Sequence, residues 1–448
     1  MVFGHTTASF LPWRQELALP DPGSQSSPQA RAGVLGGQIP RNRSGPGSNG
    51  RAQRPELRET HARAARVFTP AGSFGMLRDS LAEHIARPPV AAMRFQHVCV
   101  EALAATLPEP VVRSSDIEAR LAPVYQRLRL PEGRLEMMTG IAERRFFLPG
   151  TLPGQISAQT AEKALRRAAI SREEVGVLIH ASVCRDYLEP ATACGVHHRL
   201  GLSPRCLVYD VSNACLGLLD GVVQVANMIE LGQVRAGLVV GTEDSRVVVE
   251  STIDRLNRDT TLSRDDVNRA FATLTLGSAS AAIVLVHRDL SQTGNRLIGG
   301  IYRAETAHCH LCRSARDETI GGESRPLMWT DSEGLLKAGI ATARVAFPQF
   351  LQEVGWKASE IDRTFCHQVG RAHQRALFEA LGLPLCIDFA TVSYLGNTGA
   401  VALPVTAALG VEQGAVRPGD RVAWLGVGSG INVLALGIQW GCVSSPIG

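Results

Sequence analysis

The sequence predicts an α/β layered fold, and three observations carry that prediction. Between residues 158 and 438, short apolar runs of strand length alternate with longer segments whose apolar residues recur at helical spacing. No run of 18 apolar residues breaks the alternation, so nothing reads as a membrane span. The 92 residues that open the chain carry no such pattern, which confines the folded part to residues 93–448.

Taken in order, residues 1–92 read as a disordered extension, or as translation from an upstream start with Met93 the natural one. Stretches such as Asp21-Pro-Gly-Ser-Gln-Ser-Ser-Pro28 are dense in turn formers and cannot bury enough apolar surface to offset chain entropy. The segment is rich in arginine but also holds acids and prolines, and it lacks the apolar core of a signal peptide, so the expected location is cytoplasmic. It holds 11 Arg against 6 acidic residues, a net of +5, so the other 356 residues carry −1 and the chain's formal +4 comes from this segment. No basic stripe remains to bind nucleic acid.

Two domains are expected after this segment, 93–288 and 289–448. The first reads as a helix over 158–169, a strand over 175–179, a helix after Pro190, a strand over 207–210, a helix from Cys215, and strands over 236–241 and 281–286. The second reads as a strand over 297–301, a helix over 334–352, a strand over 364–367, helices after Arg371 and Ala400, and strands over 421–425 and 433–438.

The chemistry concentrates at three junctions of these elements. Cys215, in Asp210-Val-Ser-Asn-Ala-Cys215-Leu-Gly, comes after a strand and opens a helix. There the unpaired N–H groups and the helix dipole favour thiolate, the attacking species. His367 ends the strand Arg363-Thr-Phe-Cys-His367-Gln, and Asn397 sits between glycines in Tyr394-Leu-Gly-Asn397-Thr-Gly. Cys, His and Asn together make a nucleophilic constellation. The ten cysteines are scattered, which favours reduced thiols over a disulfide framework. His308-Cys-His-Leu-Cys312 has metal-ligand types, but a structural zinc site needs a second ligand pair and none stands out.

These flanks resemble the thiolase-superfamily condensing enzymes, in particular the ketoacyl-ACP synthase III group. The shared features are an Ala-Cys-x-Gly site, a His-Gln strand end, a Gly-Asn-Thr loop, the turn Leu425-Gly-Val-Gly-Ser-Gly-Ile-Asn432 and the early Gly140-Ile-Ala-Glu-Arg-Arg145. The resemblance implies a five-layer α-β-α-β-α fold built from two similar halves. A finer resemblance lies in Ser182-Val-Cys-Arg-Asp-Tyr-Leu-Glu189-Pro. It is similar to the OleA-type branch, which condenses two fatty acyl-CoA molecules head to head. In that branch the glutamate matching Glu189 reaches into the partner subunit's site and handles the α-proton, whereas the synthase III group carries an apolar residue there. Thr398, after the asparagine, is nearer the synthase III form.

What the resemblance implies is therefore an acyltransferase that works as a homodimer. Cys215 would carry the acyl group, and its own N–H and that of Ser429 would form the oxyanion hole, at about 3 kcal/mol per donor. His367 and Asn397 would stabilise the enolate, with Glu189 as base. Substrates would be CoA thioesters, with no cofactor and no metal, and acyl carrier protein or downstream enzymes are candidate partners. Residues 248–276 would line the acyl pocket, and Glu243 reads as a strand-end hydrogen-bond acceptor. The alternatives are decarboxylative condensation on malonyl-ACP or malonyl-CoA and, further off, a hydrolase or a non-catalytic paralogue.

Overall fold

The structure, a computed structural model, describes residues 91–317 and 325–441. Of the extension expected over 1–92, all but residues 91 and 92 lies outside them. Ala91 and Ala92 already pair with Tyr302 and Ile301, so the folded chain begins ahead of the expected 92/93 boundary.

The first half runs β1 (Ala91–Arg94), β2 (Val98–Thr106), β3 (Val111–Arg113), α1 (Ser114–Arg120), α2 (Ala122–Leu128), α3 (Arg134–Thr139) and β4 (Glu143–Arg145). It continues through α4 (Pro153–Ala168), β5 (Val175–Ala181), α5 (Thr192–Leu200), β6 (Leu207–Val211), α6 (Gly217–Glu230), β7 (Ala236–Glu243), α7 (Arg246–Arg258), α8 (Arg264–Leu274) and β8 (Ala279–His287). The second half supplies β9 (Arg296–Ala304), β10 (Cys312–Asp317), β11 (Arg325–Thr330), α9 (Ser332–Val354), β12 (Arg363–Cys366) and α10 (Arg371–Leu381). It ends with α11 (Val392–Leu395), α12 (Ala402–Glu412), β13 (Arg421–Gly428) and β14 (Asn432–Gln439).

The strands line up as β12-β13-β14-β9-β2-β8-β7-β5-β6. The two halves meet where β9 pairs with β1 and, through Cys99 and Arg296, with β2. On each side of that seam the order repeats. β5 is parallel to β6 and β7, while β7–β8 and β8–β2 are antiparallel. Likewise β12 is parallel to β13, while β13–β14 and β14–β9 are antiparallel. The second copy has lost only its outermost strand, reduced to an isolated bridge between Thr364 and Asp388. Asp388 Oδ1 accepts from Thr364 Oγ1, and Phe389 N–H donates to the Thr364 carbonyl.

Alternating side chains turn this ribbon into layers, because successive residues of a strand face opposite sides. In β5, Val177 and Ile179 join the central core with α6 residues Val222 and Val225, while Leu178 packs outward on Ala161 and Leu165 of α4. In β13, Val422 and Trp424 enter the same central core beside Val405 of α12, whereas Ala423 and Leu425 face Ala346 and Phe350 of α9. Helices α6 and α12 are thus sandwiched between two sheets, giving the five layers α-β-α-β-α. Strands buried on both faces read as continuous apolar runs, and β7 is buried along its whole length. A smaller apolar cluster, including Ile117, Leu135, Phe146, Ile253 and Phe271, holds α1–α3, α7 and α8 together. No helix among the described residues is long and apolar enough to cross a membrane.

Candidate active site

The turn after β6 puts Cys215 at the head of a cavity of about 990 Å³. Ala214 adopts φ 43°, left-handed backbone that costs a residue with a Cβ, and the bend turns the next side chain away from the strand axis. Leu216 N–H bonds back to Asn213, and α6 proper starts at Gly217. Cys215 therefore sits in a 3₁₀ turn, and the helix expected to open on it starts two residues later.

Its ionisation also differs from expectation. Burial pushes the thiol up to about 12 and nearby Cys312 adds to this, while the backbone N–H of Ser429 and its own N–H pull the other way. Desolvation outweighs these two N–H groups, so the resting residue is a thiol. The two N–H groups that turn toward the sulfur are the pair expected to form the oxyanion hole. Gly428 allows that approach, since a Cβ there would stand 3.0 Å from Leu216 Cγ and 3.5 Å from Cys215 Cβ.

His367 lies one residue beyond β12, its N–H bound to the Leu425 carbonyl at 3.0 Å. The ring faces the cavity but protein surrounds it, and burial, aided by His373, pushes it down to about 4. It is neutral at pH 7. Its Nδ1 is buried with no partner, which favours the tautomer carrying the proton on Nε2.

Asn397 enters from the loop after α11, pinned by backbone bonds Asn397 N–H to Thr275 O and Gly277 N–H to Asn397 O, both 2.9 Å. Gly277 is required by close approach, because a Cβ would stand 2.0 Å from the Leu395 carbonyl oxygen. The Asn397 Oδ1 accepts Gly399 N–H at 3.0 Å, which leaves Nδ2 as the group that can donate.

The structure thus brings Cys215, His367, Asn397 and Ser429 onto one cavity wall. Glu189 is not among the lining residues of its own chain's cavity; it is exposed at the tip of the 183–190 loop. From the expected acyl-pocket segment, Val248, Ala272, Thr275 and Leu276 line the cavity, whereas Phe271 packs into the helical cluster instead.

Sequence reading assigned no part to Gln368, although it stands in the quoted His-Gln strand end. Its Oε1 accepts from Thr391 and Val392 N–H at 2.9 and 2.7 Å, and its Nε2 donates to the Phe389 carbonyl. Every polar atom of this buried amide is engaged, and the bonds tie the His367 strand end to the segment leading to Asn397. An amide directly after the candidate histidine was the available signal.

Acid should unsettle this protein through its buried histidines. His180, fully enclosed against Ser157 and Asp210, is also pushed down to about 4 by burial. Unfolded histidines titrate near 6.5. Between about pH 6.5 and 4 the unfolded chain binds protons that the folded chain refuses, so this contribution is complete above 6.5 and is lost on acidification. Urea midpoints are expected to fall from pH 7 to pH 5, and a flat profile would contradict the neutral-histidine assignment.

Two copies of one sheet unit, meeting around a single cavity with its cysteine from one copy and its histidine and asparagine from the other, form the architecture of the thiolase-type condensing enzymes. Domain comparisons agree. Residues 137–286 match the thiolase N-terminal domain, and residues 351–440 match the C-terminal domain of 3-oxoacyl-[acyl-carrier-protein] synthase III. The acyl-CoA:acyl-CoA alkyltransferase of Shewanella oneidensis is 41% identical over 351 residues, 78% of this chain and 100% of that one. Its Xanthomonas campestris counterpart is 34% identical over 348 residues, with 78% and 100% covered. A β-ketoacyl-[acyl-carrier-protein] synthase III from Symbiobacterium thermophilum is 27% identical over 356 residues. Among solved structures, a cysteine-to-serine variant of Xanthomonas campestris OleA with bound lauric acid and lauroyl-CoA superposes with TM-score 0.72 at 34% identity, covering 77% of this chain and 100% of that one. The chain belongs to the acyl-CoA:acyl-CoA alkyltransferase family, the OleA-type acyltransferases that join two fatty acyl-CoA molecules by head-to-head Claisen condensation.

Proposed function

We propose that Cys215 carries the first acyl group and that Glu189 of a second subunit takes the α-proton of the second substrate. The observation that carries the reading is the cavity itself. At about 990 Å³ it is near the top of the range for small-molecule pockets, and the Cys215 thiol opens into walls that include Val248, Leu276, Leu335, Ile340 and Val427. That is room for two alkyl chains around one nucleophile, more than a malonyl unit needs.

In the first half-reaction the sulfur attacks the thioester carbon of acyl-CoA, and the thiol proton leaves with the departing CoA, which is released as the thiol. The Cys215 and Ser429 N–H groups hold the oxyanion. In the second, the thioester oxygen of a new acyl-CoA accepts from His367 Nε2–H and Asn397 Nδ2–H while Glu189 removes the α-proton. The enolate carbon attacks the acyl-Cys215 carbonyl, and the cysteine sulfur leaves. A 2-alkyl-3-ketoacyl-CoA results, and water hydrolyses its thioester to the ketoacid. No cofactor beyond the thioesters takes part.

A homodimer supplies the base. Leu188 is 88% exposed and Tyr187 58% exposed beside Glu189, and β6 ends the sheet with an edge unpaired among the described residues. An apolar tip and a free strand edge suit a second copy of the chain. The free, scattered thiols among the described residues suit a cytoplasmic location.

The test is incubation with one long-chain acyl-CoA and nothing else. Mass spectrometry should show an acyl adduct on Cys215, with free CoA and a β-ketoacid or its decarboxylated ketone. Glu189→Ala is expected to keep the adduct and stop condensation; normal turnover would remove Glu189 from the mechanism. A requirement for malonyl-CoA or malonyl-ACP before any carbon–carbon product forms would replace this reading with the decarboxylative one.

A further inference from the structure

A second carboxylate stands in the cavity wall, at the end of β7. Glu243 is 3% exposed, lines the same cavity and lies close enough to Cys215 to act on its charge. Both oxygens are committed. Oε1 accepts Val183 N–H at 2.9 Å and Oε2 accepts Cys184 N–H at 3.3 Å. Ala400 N–H also donates to the carboxylate. Gly399 lies against it so closely that a Cβ there would stand 3.1 Å from Glu243 Cγ.

These partners belong to two different loops. Val183 and Cys184 begin the segment that ends in Glu189. Gly399 and Ala400 come just after Asn397, and Gly399 N–H is the donor that sets the Asn397 amide. We infer that Glu243 is a positioning residue that joins the loop delivering Glu189 to the partner subunit with the loop presenting Asn397 inside its own site.

The rest of the Glu189 loop is anchored in ways that make this clamp matter. Ser182 Oγ donates to the Thr242 carbonyl at 2.7 Å, and Asp186 Oδ1 accepts Gly154 N–H at 2.7 Å. Thr192 Oγ1 accepts Asp186 N–H, and Asp210 takes the N–H groups of Thr192 and Ala193 at the start of α5. Only the tip, Tyr187 to Pro190, stands free. A short tip on fixed ends is aimed, so a shift at its root is carried to the carboxylate of Glu189. Glu243→Gln would turn an amide N–H₂ toward backbone N–H groups, losing one acceptor and opposing like donors. Buried polar groups left unpaired there would move both loops.

The inference rests on the proposal that Glu189 works in the partner's site, and mixed dimers separate the two. One protomer carries Glu189→Ala and keeps Cys215; the other carries Cys215→Ala and keeps Glu189. Purified through two different tags, this dimer has one working site, assembled across the interface. If it condenses nothing while acylation proceeds, the crossing-base reading fails, whatever Glu243 does. If it condenses, Glu243→Gln is then added to the Cys215→Ala protomer, which contributes only the loop. Condensation is expected to fall by roughly tenfold to a hundredfold, as misplacement of a reacting group does, while acylation of the other protomer's Cys215 stays unchanged. Unchanged condensation would overturn the inference, and is also what a Glu243 acting as a base inside its own cavity would give. A general loss of folding would lower acylation and condensation together and would overturn it too. Should Glu243→Gln protomers not assemble, Glu243→Asp, which keeps the charge but shortens the reach, is expected to give the same split at smaller size, and wild-type condensation with that variant would count against the clamp.

Discussion

Cys215→Ala is expected to abolish acyl-enzyme formation and, with it, every carbon–carbon product, lowering turnover by about 10⁴-fold or more, the scale seen when a nucleophile is removed. The loss should be chemical and not structural. The side chain projects into an existing cavity, so truncation deletes one sulfur from a wall without opening a void in the packed core. Thermal melting should therefore stay close to wild type. Intact-protein mass spectrometry after incubation with acyl-CoA is the direct measurement, and an adduct that persisted in the variant would move the nucleophile to another cavity thiol, such as Cys184 or Cys312.

Asn397→Asp is expected to arrest the enzyme after acylation, with condensation lower by roughly 10²–10³-fold, the usual consequence of losing one preorganised donor to a developing oxyanion. The substitution isolates the donor. An aspartate keeps the oxygen that accepts Gly399 N–H, so the loop conformation is preserved, but it removes the Nδ2–H groups and places negative charge beside an enolate. Asn397→Ala loses both functions and cannot tell them apart. Single-turnover assays with a radiolabelled acyl-CoA separate the stages: label should accumulate on protein in Asn397→Asp, and normal release of condensed product would exclude Asn397 from enolate stabilisation.

Much of this architecture was legible from patterning. β7 and β8 announce themselves as unbroken apolar runs because both faces are covered, and the junction residues Cys215, His367 and Asn397 stand where strands end and turns begin. Strand β2 gave no comparable signal, since Glu101 interrupts its run; the structure shows that carboxylate satisfied by Ser291 Oγ and Gln292 N–H. Helices α7 and α8 also escaped, being largely polar segments held by a local cluster and not by the main sheet. The state of the Cys215 thiol was misjudged because a helix-end argument sees the chain locally, whereas desolvation depends on β13 arriving from more than 200 residues away. Glu243 could be read as an acceptor from its place at a strand end, but which two loops it joins is a property of the assembled layers alone.

The lopsided repeat of the sheet has a consequence for how copies add to one another. A long sheet with two bare rims can recruit chains at both and grow without limit. Here the rim at β12 is partly capped by the Thr364–Asp388 bridge and the Phe389 N–H, whereas β6 has no strand on its outer side among the described residues. Addition through a single rim, related to itself by a twofold axis, uses up both partners' capacity in one event. Losing one strand from the second copy thus leaves the sheet with one rim partly capped by its own chain and one rim uncapped, the asymmetry that a self-terminating pairing of two chains would need.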